Sequence, residues 1–277
     1  MKKKLGFIVS ICIIFLWSIV PIYWTLRTSL MRSGDLMTTS IKYLPLPINF
    51  DNYKKILGMD SSNLSLWDEF KRCAINSIVT CGLSTIIIVF LAIISGYAFA
   101  RLEFKGKNLL FGILIGTLAL PVYSVIIPLY RIIINMGLLD TKTGIILIYT
   151  AAFSPLALWM MRSFFNTIPV ELEEAALVDG ASKTKALITV LPLILPGIIS
   201  TSIITFLSTW SQFILPLIIT PLENKPLTVL LTQFVGKSSV DYGLISAAGI
   251  LTILPAILIV IFSNKHLVNG LMSGSIK

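Results

Sequence analysis

The feature that most restricts this chain is where its charges are missing. Six stretches contain no Asp, Glu, Lys or Arg: 5–26, 73–100, 108–130, 143–161, 186–222 and 242–264. A helix needs roughly 20 apolar residues to cross the hydrocarbon core of a bilayer. Each stretch meets that length. Only 13% of residues are charged and the mean hydropathy is +0.91, against about 25% charged residues in a soluble domain. The chain therefore reads as an all-α membrane protein with six transmembrane helices. The fifth stretch is too short for two helices and a turn, so Pro192 and Pro196 mark where a lead-in meets the membrane helix. The start, MKKKLGFIVSICIIFLWSIVPIYW, has a basic n-region. Its apolar run exceeds that of a signal peptide and no small-residue cleavage site follows, which predicts an uncleaved first span. The expected layout is an N-terminal transmembrane helix over 1–26, an extracytoplasmic loop over 27–72, a five-helix transmembrane domain over 73–264 and a cytoplasmic tail over 265–277.

The net charge of +9 points to anionic membrane lipid rather than to nucleic acid, since no basic run exceeds Lys2, Lys3 and Lys4. Lys and Arg number eleven on each side of a six-span layout, so a bare count does not orient it. Their density does. Lys2–Lys4 crowd the start and Arg101, Lys105 and Lys107 crowd a short loop, and short loops near span ends dominate the positive-inside rule. Both termini are expected in the cytoplasm.

Between spans four and five lies one acidic island, ELEEAALVDGAS (171–182). Inside the bilayer each of its charges would cost about 2.5–3.5 kcal/mol at a helix centre, so it stays outside the lipid. Pro169 suits a first helical position, and Glu171, Glu173 and Glu174 suit a positive helix end. Leu172, Ala176 and Gly180, with Ala175 beside them, predict a narrow small-residue face opposite an acidic one. A turn is expected near Asp179 and Gly180, followed by a second helix leading into span five. Three readings compete for the island: a helix docking into another protein, internal packing, or a helix lying on the bilayer. The last prefers Lys and Arg with large apolar residues, which the island lacks.

IPVELEEAALVDGAS (168–182) resembles the cytoplasmic coupling motif of binding-protein-dependent ABC import permeases, the "EAA" loop. Glu174, Ala175 and Ala176 match EAA, and Gly180 matches the glycine that follows. PLPINFDNYKKIL (45–57), SGYAFARLEFKGKNLL (95–110), LWMMRSFFNTIPVELEEA (158–175) and NKHLVNGLMSGSIK (264–277) resemble further segments of the carbohydrate-uptake, maltose-transporter-like second permease subunit, in the same order. The chain departs from the family pattern once. Gly180 and Pro192 are separated by twelve positions where the family has thirteen, and one residue turns a helix by about 100°.

The resemblance implies a type I ABC importer permease fold with a cytoplasmic coupling helix between spans four and five. It implies a second homologous permease subunit, two ATPase subunits or a homodimer of one, and an extracytoplasmic solute-binding protein. It places the chain in a bacterial cytoplasmic membrane. Glu174, Ala175, Ala176, Asp179 and Gly180 become the expected ATPase-coupling residues. The resemblance further implies that ATP and Mg are used by the partner ATPase and that no cofactor is bound by this chain. TWSQFIL (209–215) resembles the family's Trp-Asn-Glu-Phe region, with Ser211 and Gln212 substituted. Trp210 is a candidate to stack on a sugar ring and Gln212 to hydrogen-bond a hydroxyl. Tyr123 and Ser154 are candidates of the same kind. The competing reading is that these four residues pack between helices or face the partner permease.

Other chemistry is thinly represented. Gly236-Lys237-Ser238 mimics the end of a Walker A motif, but Leu231 stands where the phosphate loop needs its first glycine. The only histidine, His266, lies in the tail, and Cys12, Cys73 and Cys81 show no metal or redox spacing. No nucleophile–base pair is evident, so neither catalytic nor metal-ligating residues are assigned. No Asp, Glu, Lys or Arg lies within the core of any span, whereas proton-coupled carriers commonly use such residues as relays. Gly112 and Gly116 predict a close helix contact, and Pro121, Pro128, Pro155, Pro216 and Pro255 predict kinks. The reading is a permease subunit for a sugar or oligosaccharide. The alternatives are a permease for another solute such as a polyamine or phosphate, a stand-alone ion-coupled carrier, or a non-transporting scaffold.

Overall fold

The structure, a computed structural model, describes residues 2–38, 41–60, 64–235 and 240–273; at 2, 3, 5, 122, 123, 176, 183, 184, 186 and 264–273 it describes the backbone alone. Thirteen α-helices follow one another among these residues. They are α1 (Lys2–Ser29), α2 (Ser33–Leu36), α3 (Asp51–Ile56), α4 (Leu64–Arg101), α5 (Lys107–Gly116), α6 (Val122–Asn135), α7 (Lys142–Thr167), α8 (Glu171–Val178), α9 (Lys183–Val190), α10 (Leu195–Trp210), α11 (Ile214–Ile219), α12 (Leu227–Leu230) and α13 (Tyr242–Ser273).

Among the described residues five helical stretches are long and apolar enough to cross a membrane: Gly6–Ser29, Leu64–Arg101, Lys142–Thr167, Leu187–Trp210 and Tyr242–Ser263. The third predicted span is different. It is a broken pair, Lys107–Ala119 and Ser124–Asn135, bent by 104°. Pro121 sits at the break. Its ring excludes helical backbone at the preceding residue, and Leu120 is extended at φ −72°, ψ 126°. Pro121 then caps α6 from the same region. Pro128, Pro155 and Pro255 lie inside α6, α7 and α13, and Pro216 inside α11.

The chain divides into two units, Met1–Ala74 with Leu227–Pro255, and Ile75–Pro226 with Ala256–Lys277. In the first, Phe7, Ile14 and Trp17 on α1 are exposed, as a lipid-facing helix requires. Beyond α1 the chain is pinned by side chains of the PLPINFDNYKKIL segment. Asn52 is buried and its Nδ2 donates to the carbonyls of Ser29 and Met31 at 3.1 and 3.2 Å. The Asn49 amide donates to Asp51 at 2.8 Å and holds that carboxyl below the usual carboxylate range.

The second unit is centred on Ile88 and Ala92 of α4, Ala157, Met161 and Phe165 of α7, Val190 of α9, and Ile194. Gly96 lets α4 approach α7 closely: a Cβ there would stand 2.8 Å from Met161 Cβ and 3.0 Å from the Arg162 nitrogen. Gly197 of α10 lies against the Phe164 ring in the same way. The expected close contact at Gly112 and Gly116 is not made among the described residues. No atom among the described residues comes within 4 Å of a Cβ at either.

At the opposite end of this unit, Asp140 organises the turn that follows α11. Its carboxylate accepts from the backbone nitrogens of Leu222, Glu223 and Asn224 at 3.1, 2.9 and 3.5 Å. Asn76 donates to the carbonyls of Glu223 and Lys225. Asp140→Ala removes the shared acceptor, and the expected loss is about 1–3 kcal/mol of local stability. Hydrogen exchange at residues 222–224 measures it: their amides should exchange faster by about tenfold or more, with α7 unaffected.

Candidate functional site

The acidic island folds as a helix, a turn and a second helix. α8 begins at Glu171, two residues later than Pro169 would have started it, with Val170 as its N-cap. The nitrogens of Glu173 and Glu174 both donate to the Val170 carbonyl, at 2.9 and 3.0 Å. α8 ends at Val178, Asp179 is the C-cap, and Gly180 follows at φ +86°. This is the left-handed conformation in which a helix commonly terminates, and glycine adopts it without Cβ strain. Ser182 caps α9, its hydroxyl accepting from the Lys185 nitrogen at 3.3 Å. After α9 a 3-10 turn over Leu191–Ile194 carries Pro192, and α10 begins with Pro196 in its first turn. The lead-in expected before span five is thus α9 together with this turn.

Within α8 the carboxylates divide. Glu171 and Glu174 are exposed, as are Ala175, Asp179 and Gly180. The side chain of Ala176 lies outside the described residues. Glu173 is 5% exposed and turns inward. Its Oε1 accepts from Arg101 Nε at 2.6 Å and its Oε2 from the Tyr97 hydroxyl at 3.1 Å. Arg101 Nη2 also donates to the Ile168 carbonyl at 2.7 Å, just ahead of α8. The Arg101 and Glu173 side chains are only 9% and 6% exposed. Removing one member of such a pair strands a buried charge and costs about 3–5 kcal/mol.

The two faces of α8 therefore differ from those expected. Among the described side chains the inward polar contact is made by one acid, Glu173. The open side carries Glu171, Glu174 and Ala175 together with Val178, which is 87% exposed. Sequence reasoning missed Arg101, Tyr97 and Glu173 as functional residues. Tyr97 and Arg101 stand in SGYAFARLEFKGKNLL, but nothing there identifies their partner.

A second feature lies at the broken third span. A cleft of about 430 Å³ is lined by Thr117, Leu120, Val125, Phe153, Leu215 and Gln212, among others. Gln212, a predicted path residue, is one of its few polar groups. The other candidates are placed differently. Trp210 is buried, with its ring stacked on Phe206 at 5.5 Å. Ser154 donates to the Thr150 carbonyl of its own helix at 2.6 Å. The side chains of Tyr123 and His266 and the Gly236-Lys237-Ser238 segment lie outside the described residues.

The family described as "Binding-protein-dependent transport system inner membrane component" matches residues 88–272, which hold α8, the Asp140 turn and the cleft. The chain is similar to the trehalose transport system permease protein SugB of Mycobacterium tuberculosis, with 34% identity over 94% of this chain and 93% of that one. It is 32% identical to the sulfoquinovosyl glycerol transport system permease protein SmoH of Agrobacterium fabrum, over 99% and 94% of the two chains. The diacetylchitobiose uptake system permease protein NgcG of Streptomyces coelicolor is 30% identical, over 97% of this chain and 88% of that one. The fold is shared with a chain in the crystal structure of a bacterial ABC transporter involved in the import of the acidic polysaccharide alginate. There the TM-score is 0.78 at 22% identity, covering 95% and 96% of the two chains.

Proposed function

We propose, from the premise that this chain belongs to the family of binding-protein-dependent transport system inner membrane components, that it admits a sugar or short oligosaccharide. The chain is a permease subunit of an ABC importer, a multi-pass inner membrane protein and not an enzyme. It supplies part of the path through the membrane, while ATP hydrolysis belongs to separate subunits. The solute assignment is supported by the named cargo of the relatives, which are permeases for trehalose, sulfoquinovosyl glycerol and diacetylchitobiose.

The coupling role is carried by one observation. α8 presents Glu174, Ala175 and Val178 outward while its other side is anchored. Glu174, Ala175, Ala176, Asp179 and Gly180 form the surface that seats in a groove of the ATPase. Closure of two ATPase subunits around ATP then moves α8 and, through it, the spans. Both termini and α8 lie in the cytoplasm, and residues 27–72 face the other side, where a solute-binding protein delivers its load to this chain and a second permease. The five-helix domain over 73–264 and the tail over 265–277 complete this layout. Gln212, Trp210, Tyr123 and Ser154 remain the candidates along the solute path. Gln212 is the best placed of these, since it lines the cleft.

The test is uptake into proteoliposomes. The assembled importer, purified through this chain with its co-expressed subunits, is expected to accumulate radiolabelled disaccharide only with ATP and the binding protein. The chain alone is expected to accumulate none. ATP-independent uptake by the chain alone overturns the importer assignment. A binding protein that takes up a polyamine or phosphate in place of disaccharides overturns the sugar assignment.

A further inference from the structure

The Arg101 cluster joins two segments that the family reading treats separately. Arg101 is the last residue of α4, a membrane-crossing helix, while Glu173 lies in the second helical position after the start of α8. Arg101 makes two contacts, one to the Glu173 carboxylate on α8 and one to the Ile168 carbonyl where α7 ends. Tyr97, one turn earlier on α4, donates to the other Glu173 oxygen. Its ring also meets Phe165 of α7 edge-on at 5.4 Å. α4 thus holds the α8 carboxylate from two positions, and the same two side chains also touch the end of α7. Gly96, beside Tyr97, removes the side chain that would hold α4 away from α7.

We infer that Arg101, Glu173 and Tyr97 are positioning residues for coupling: they fasten α8 to the inner end of α4, so that a displacement of α8 moves that span directly. This rests on the coupling role proposed above for α8. Along the chain α8 is joined backward to α7 through residues 168–170, and forward to α10 only through the Gly180 turn, α9 and the Leu191–Ile194 turn. A glycine turn and a 3-10 turn are compliant joints for a lever. The Arg101–Glu173 contact bypasses both. It is directional because a guanidinium presents its donors in a fixed planar fork, which fixes orientation as well as distance.

A purely structural role predicts a different outcome from a positioning role. Replacing both members of a buried ion pair by apolar residues of similar size commonly leaves stability unchanged or raises it. The double variant Arg101→Met/Glu173→Met therefore restores packing without the directional fork. The experiment uses the complete importer in proteoliposomes and reads two quantities, the melting temperature of the complex and solute imported per ATP hydrolysed. Expected are a melting temperature close to wild type and a drop in import per ATP of about fivefold or more, the usual lower range of coupling between sites. Arg101→Lys keeps a charge for Glu173 but not the second contact to Ile168, and is expected to fall between the two. Tyr97→Phe removes a single hydroxyl and is expected to lower import per ATP by about twofold at unchanged melting temperature. This variant keeps the test decisive where Arg101→Met alone fails to fold. Wild-type import per ATP in the double variant overturns the positioning role. ATPase subunits that do not co-purify with the wild-type chain overturn instead the coupling role on which it rests.

Discussion

Gly96→Leu is expected to abolish recovery of folded protein, whereas Gly96→Ala is expected only to reduce it. Even a methyl group at this position would meet Met161 Cβ at 2.8 Å and backbone of α7 at 3.0 Å. Backbone has no alternative rotamer, so the helices must separate. Overpacking of this kind costs about 1–3 kcal/mol for added methylenes. A leucine here also lifts α4 away from Met161 and Phe165, which are fully buried in the core of this unit. Monodisperse yield in detergent size-exclusion chromatography checks the result. Recovery of Gly96→Leu at wild-type level would mean that α4 and α7 are not held at this separation.

The second large effect falls on transport and not on folding. Gly180→Trp is expected to leave the protein inserted while import per ATP falls by about tenfold or more, within the range of coupling free energies between distant sites. No described atom lies within 4 Å of a Cβ at Gly180, so space is not the obstacle. Conformation is: φ is +86°, and an L-residue held in the left-handed region is strained by roughly 1–2 kcal/mol. A tryptophan also projects bulk from the end of the surface proposed to seat in the ATPase. Gly180→Asn is the informative companion, because asparagine tolerates this conformation better than other non-glycine residues. It is expected to keep most of the coupling. Full coupling in Gly180→Trp would sink the docking role of this turn.

The membrane spans were legible because a charge in hydrocarbon is so costly that its absence marks a span without reference to tertiary structure. Five of the six apolar stretches contain a membrane-length helical stretch. The third was only half legible. Pro121 marks the site of disturbance, yet the 104° bend depends on what surrounds it. The turn at Gly180 was readable because its cause is local. The facing of α8 was not. Three glutamates occur within four positions, and a one-residue change in the helix start rotates each by about 100°. Which of them turns inward is decided by Arg101, 72 positions away. Trp210 illustrates the same limit. Its chemistry suits a sugar face, but its stacking on Phe206 is a matter of packing.

The Leu191–Ile194 turn sets the phase at which span five follows Gly180. A helical path from Gly180 that is one residue short loses about 1.5 Å of rise and 100° of rotation. A 3-10 segment advances about 2.0 Å and 120° per residue in place of 1.5 Å and 100°. Four residues wound in this way regain roughly 2 Å and 80° relative to α-helix. The tighter winding thus advances span five by nearly as much as one further α-helical residue would. Inserting one residue between Gly180 and Pro192 without relaxing this turn should therefore put span five out of phase.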